Sequence, residues 1–230
     1  MSKKIINILC EGPSEQEFAL KVLKPYLLPH DIIVRATLLI TNKKLNAQGG
    51  MIDYQQVTRD LRNMIKSARD TDYEKNFFTT MFDLYALPTD FPGYIDSKTE
   101  AYTRVTKIEE AFGKDIDYSR FIPYIELHEF ETLVLCNIPK VCQAYPNANK
   151  RLQELDANWR KETGGNVELV NSSRETAPSK RLIKAVENHY NYDKKIMAVA
   201  ATRDIGIDTL RSLCTHFNQW IEKLLNEHIS

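Results

Sequence analysis

Four short apolar runs constrain the fold of this chain more than any other feature. They cover 3–10, 32–40, 76–83 and 121–127, and they are rich in β-branched or aromatic residues. The stretches between them carry helical spacing instead. One helix is expected from Ser14 to about residue 26, stopping near Pro29, with Ser14 and Glu17 forming an S-x-x-E capping box. Another is expected over 52–69, where Tyr54, Val57, Leu61, Met64 and Ile65 fall on one face, and a third over 98–112. Alternation of strand and helix is the signature of a parallel α/β sheet flanked by helices. After residue 137 the pattern becomes mainly helical, with segments near 147–160, 178–190, 193–202 and 206–227. The expected organisation is an α/β core over 1–137 and a helical portion over 138–230 packed on it as one compact unit. Two polar stretches, 42–50 and 161–178, are expected as loops, the second long enough to suggest mobility or function.

In open α/β sheets, ligands bind outside the carboxyl ends of the strands. Glu11, Asp83 and the group Glu126, Glu129 and Glu131 all fall at or just after such ends. Carboxylates brought together there repel one another unless a cation lies between them. Oxygen ligands of this kind suit hard divalent ions such as Mg2+ or Mn2+. Glu15 and Glu17 also fit a simpler role, because the first turn of a helix favours negative charge. Asp83 could cap a local turn, and Glu129 and Glu131 could be solvated helix residues. Glu11 has no capping role, since it directly follows an apolar strand and precedes Gly12-Pro13. His128 opens "HEFET", which lacks the second histidine of a zinc helix.

A second motif is "PSKR" at 178–181. It reads as a helix start whose free N–H groups, with Lys180 and Arg181, would receive a phosphate, or as a solvated basic turn. An acid cluster that binds metal and a basic phosphate contact together point to phosphodiester chemistry. Lysine plus arginine equals aspartate plus glutamate at 31 each, so net charge neither favours nor excludes nucleic acid. Four scattered cysteines, no signal peptide and no apolar run near the roughly 18 residues of a membrane span suggest a cytoplasmic protein with reduced thiols.

"CEGPSEQEF", "GGMIDY", "MFDLYALPTDFPGY", "RFIPYIELHEFETLVL", "APSKRL" and "DIGIDTLRSLCTHFNQWIEKL" together resemble the bacterial domain-of-unknown-function family 4276, over almost the whole chain. That family is similar to the Toprim fold, the metal-binding α/β domain of topoisomerases, primases and overcoming-lysogenisation-defect nucleases. The resemblance implies a Toprim-like sheet, with Glu11 and Glu15 as its E-x-x-x-E pair and Asp83 as the first aspartate of its D-x-D motif. Tyr85 stands where the second aspartate is expected, so Asp90, Glu129 or Glu131 would supply the missing ligand, or one metal is bound, or catalysis is lost. The implied activity is Mg2+-dependent cleavage of DNA or RNA, in phage defence beside an ATPase partner. Glu11, Glu15, Asp83 and Glu129 would hold metal, Glu11 or Glu131 would handle the proton, Lys180 and Arg181 would neutralise phosphate, and His128 would orient a carboxylate. The competing readings are a non-catalytic Toprim-like subunit of an ATPase complex and a phosphatase or phosphotransferase acting on a small nucleotide. The chain has no P-loop pattern, so ATP hydrolysis would fall to the partner.

Overall fold

A computed structural model describes residues 3–40, 51, 53–95, 99–171 and 174–226, so the 42–50 loop lies outside the described residues. The fold is α/β. Strands β1 (Lys3–Cys10), β2 (Ile32–Leu38), β3 (Glu74–Asp83), β4 (Phe121–Ile122) and β5 (Ile125–Glu126) form one five-stranded sheet. Its order is β2-β1-β3-β4, every pairing is parallel, and β5 continues the line of β4 along β3.

Side chains alternate between the two faces, and both are covered, which explains the near-continuous apolar runs. Leu9, Phe78 and Phe82 pack with Val57, Leu61, Val105, Ile108 and Phe112 from α3 (Tyr54–Ser67) and α4 (Ala101–Ile116). Ile6, Ile8, Cys10, Phe77 and Met81 pack on the opposite side with Phe18, Leu133, Leu182, Ala198, Phe217 and Trp220. That second layer holds α1 (Pro13–Phe18), α2 (Lys24–Leu27) and the C-terminal helices α5 (Glu131–Leu135), α6 (Ile138–Ala144), α7 (Asn149–Thr163), α8 (Pro178–Val186), α9 (Lys194–Ile205), α10 (Ile207–Leu213) and α11 (Thr215–Asn226). The helices after residue 137 thus share one hydrophobic cluster with β1 and α1.

Four elements differ from the sequence expectation, each for a local reason. The single strand over 121–127 is broken at Pro123, which has no N–H to give the ladder. Thr80 repairs the gap: its Oγ1 donates to the Tyr124 carbonyl at 2.8 Å and accepts from the Tyr124 amide at 3.1 Å. The first helix contains a π turn over Ala19–Leu23, just before Pro25, which cannot continue a regular i→i−4 ladder. The helix over 206–227 is two helices, because Cys214 takes an extended conformation between α10 and α11. The 161–178 stretch is not one long loop: α7 runs to Thr163, and short 3-10 turns occupy Val167–Leu169 and Arg174–Thr176. Glu168 in that stretch is fully buried and caps α11, accepting from the amides of His216 and Phe217, both at 3.0 Å. Among the described residues no helix is long and apolar enough to cross a membrane.

Candidate active site

Chain order and strand order together define a topological switch point. From β1 the chain moves outward to β2, then crosses to β3 on the other side of β1. Loops leaving β1 and β3 therefore part in opposite directions, and the carboxyl ends of these two strands flank a topological switch point, where open α/β sheets bind ligands. Glu11 follows β1 and Asp83 ends β3.

The carboxylates are held by the backbone around them. The Asp83 amide donates to Glu11 Oε2 at 3.0 Å, and the Phe130 amide donates to Asp83 Oδ1 at 2.9 Å. Glu15 reaches back to the Gly12 amide at 2.9 Å, so its first-turn capping role is real. A Cβ on residue 12 would stand 3.0 Å from Glu15 Oε2, so glycine leaves room for that carboxylate. Ser14 lies inside the helix, and Glu17 pairs with Lys21 and Lys195 instead of closing an S-x-x-E box. Glu129 and Glu131 arrive through a tight turn after β5. The Glu129 amide donates to the Leu127 carbonyl at 3.1 Å across His128, whose φ is 71°. This is the strained, positive-φ form of the γ-turn.

Glu15, Glu129 and Glu131 are buried, while Glu11 and Asp83 keep part of their surface in water. Burial pushes Glu11 up to about 7, with the Glu15 charge adding to the rise and the Asp83 amide and Lys194 opposing it. Burial likewise pushes Glu131 up to about 7 against the pull of Lys194. It raises Glu15, and it raises Asp83 strongly, with Glu11, Glu15, Glu131 and Glu129 all contributing. The Lys194 ammonium, at the start of α9, lies 3.3 Å from Glu131, and its charge reaches Glu11, Glu15, Asp83 and Glu129 as well. Five carboxylates thus share one lysine. Lys194 had no distinguishing sequence signal, being one of two lysines after a helix-capping aspartate.

The structure brings Glu11, Glu15, Asp83, Glu129 and Glu131 into one neighbourhood, but they do not stand as a closed shell. Among the described residues no three His, Cys, Asp or Glu side chains are arranged to hold a metal ion. The donor set still suits a hard cation in its chemistry: carboxylate oxygens only, with Glu11, Glu15, Asp83 and Glu131 raised chiefly by burial.

Other expected participants are engaged elsewhere. The Ser179 amide donates to Glu129 through a very short contact, and its hydroxyl donates to the same carboxylate at 2.9 Å. The start of α8 therefore receives an internal carboxylate in place of a free phosphate. Arg181 donates to the Thr176 carbonyl at 2.7 Å and pairs with Glu162 at 2.8 Å, while Lys180 is exposed. Both line a surface cavity of about 540 Å3 with Lys184, and none of the five acids lines it. A second cavity of about 560 Å3 runs along α4 and also contains none of them. His128 orients no carboxylate: its Nδ1 faces Asn171 at 3.5 Å, its ring stacks on Tyr85, and burial helped by the Arg104 charge lowers it to about 4. Asp90 receives the Tyr54 amide at the start of α3 and stands outside the cluster. Glu126 lies behind the site, with Oε2 accepting from the Tyr124 hydroxyl at 2.6 Å.

Neither the curated proteins nor the solved structures contain a match to this chain. One family model does match, that of a domain of unknown function, DUF4276, over residues 10–225. With nearly every element from the end of β1 to α11 inside that match, the chain belongs to the DUF4276 family.

Proposed function

We propose that the protein is a divalent-cation-dependent phosphodiesterase acting on nucleic acid, with its active centre at the carboxyl ends of β1, β3 and β5. The observation that carries this reading is the convergence of five acids on one lysine at the switch point of a parallel sheet. A divalent cation held by Glu11, Glu15 and Asp83, with Glu129 beside them, would offset their repulsion and polarise a bound phosphate. Glu131, near neutrality and outside that ligand set, is suited to take a proton from an attacking water at pH 7. Lys194, half exposed at the edge of the cluster, would balance negative charge on the phosphate. The Toprim-like resemblance supports Mg2+ or Mn2+ as the ion, an ATPase as partner and phage defence as the setting.

Tyr85 in the second D-x-D position favours a second reading, a non-catalytic subunit that binds the ATPase. The test compares wild type with Glu11→Gln on single-stranded DNA, double-stranded DNA and RNA, with Mg2+ or Mn2+, with and without that ATPase. Cleavage by wild type alone supports the phosphodiesterase. Equal cleavage by both proteins removes this site from the chemistry, and binding of the ATPase by both without cleavage establishes the second reading.

A further inference from the structure

Beside the acids lies a group of opposite character. Arg104, in the second turn of α4, is 7% exposed, and its side chain makes no hydrogen bond or ion pair among the described residues. Its Nε is buried without a partner, and its nearest aromatic contact is the Tyr94 ring at 5.9 Å. A buried guanidinium without an anion is costly, and proteins rarely leave one so. Two more buried atoms lack partners next to it, the Tyr85 hydroxyl and His128 Nε2. Their rings stack at 5.6 Å, and the Arg104 charge bears on both. The Asn171 amide nitrogen faces His128 Nδ1 at 3.5 Å, and the Glu168 backbone also bonds the ring. Guanidinium and phenol are then two donors without an acceptor among the described residues. The one carboxylate near Tyr85, Glu129, is already committed to Ser179.

We propose that Arg104 and Tyr85, with the His128 ring stacked on the phenol, form a receptor for a phosphate group of a nucleotide or oligonucleotide, next to the strand-end acids. A guanidinium fork with a phenol donor beside it matches a tetrahedral oxyanion. The receptor takes the role that the sequence assigned to Lys180 and Arg181. That the bound phosphate belongs to a scissile substrate rests on the phosphodiesterase reading; that Arg104 binds phosphate does not.

The test is thermal unfolding of the full chain in EDTA, titrated with inorganic phosphate or the dinucleotide TpT against sodium chloride of equal ionic strength. Phosphate or TpT is expected to raise the Tm of wild type above the chloride control. Arg104→Met is expected to weaken that binding at least tenfold, while the Tm of the free protein stays equal or rises, because an unpaired buried charge is gone. A structural arginine would behave in the opposite way, with a lower Tm and unchanged phosphate response. If Arg104→Met does not fold, Tyr85→Phe replaces it, with an unchanged free Tm and at least threefold weaker phosphate binding expected. No phosphate-specific shift in wild type, or full retention of it in the folded variant, overturns the proposal. A shift that depends on Arg104, without any cleavage in Mg2+, keeps this receptor and removes the phosphodiesterase reading. Cleavage without such a shift does the reverse.

Discussion

At the scale of single residues, the candidate site is a problem of charge. Glu11 is ionised only at a cost, because burial and Glu15 both oppose its charge. Glu11→Gln keeps an oxygen to accept from the Asp83 amide and removes that cost. Its Tm at pH 8, without metal, is therefore expected to equal or exceed that of wild type. Metal-dependent cleavage is expected to fall at least about 100-fold, as the loss of several kcal/mol of charge stabilisation implies. Lys194→Met should act the other way, removing a cation whose charge reaches all five acids. The expected loss at pH 8 is about 1 kcal/mol or less, since the lysine is half exposed. That loss should shrink below about pH 5, where Glu11 and Glu131 are protonated. A loss independent of pH would mean that Lys194 acts through packing. The strand-end placement of Glu11 and Asp83 was legible in the sequence because a charge directly after an apolar strand has few structural uses, whereas Glu15 was singled out by its E-x-x-x-E spacing from Glu11. Lys194, Ser179 and Arg104 were not, since each looks like an ordinary helix residue until the fold decides what it faces.

At the scale of elements, buried polar groups fix how the C-terminal helices sit on the sheet. Glu168 ties the stretch after α7 to α11 and also accepts from the Tyr102 hydroxyl at 2.7 Å. His216, in the first turn of α11, meets Glu109 of α4 at 3.0 Å and the Ile125 carbonyl at 3.1 Å. Glu168→Ala is expected to destabilise the protein by about 2–4 kcal/mol, as two buried helix-start amides lose their acceptor and a half-buried hydroxyl loses its shorter one. Unfolding in urea measures this, and an effect below about 0.5 kcal/mol would show that water replaces the cap. The strands and the helices over 54–67 and 101–116 were legible because their periodicity is set locally. The role of the 161–178 stretch was hidden: its polar composition reads as a solvated loop, yet its one buried glutamate serves a helix about fifty residues away. The split of the last helix was hidden for a similar reason, since Cys214 has no breaker signature. Only its buried place beside Cys136, 3.6 Å between sulfurs, accompanies the extended turn.

At the scale of the whole molecule, the acid cluster couples folding to pH. Glu11 and Glu131 hold their protons to about 7 in the folded protein, and ordinary glutamates lose theirs near 4.3 in the unfolded chain. Between about pH 4.5 and 7 the native state therefore binds more protons than the unfolded state, so stability falls as pH rises. The contribution is complete below about pH 4.5 and lost above pH 7. Without metal, Tm is expected to decline from pH 5 to pH 8, and Mg2+ is expected to restore it at the upper end by replacing the protons. A Tm that rises steadily over that range would contradict the electrostatics described here. Anomalous diffraction from a crystal soaked in Mn2+ tests directly whether the strand-end carboxylates are a cation site. The expected result is a manganese peak among Glu11, Glu15 and Asp83, with the Glu129 or Glu131 carboxylate turned toward it. Manganese bound only elsewhere, or no peak at concentrations that support cleavage, would contradict it.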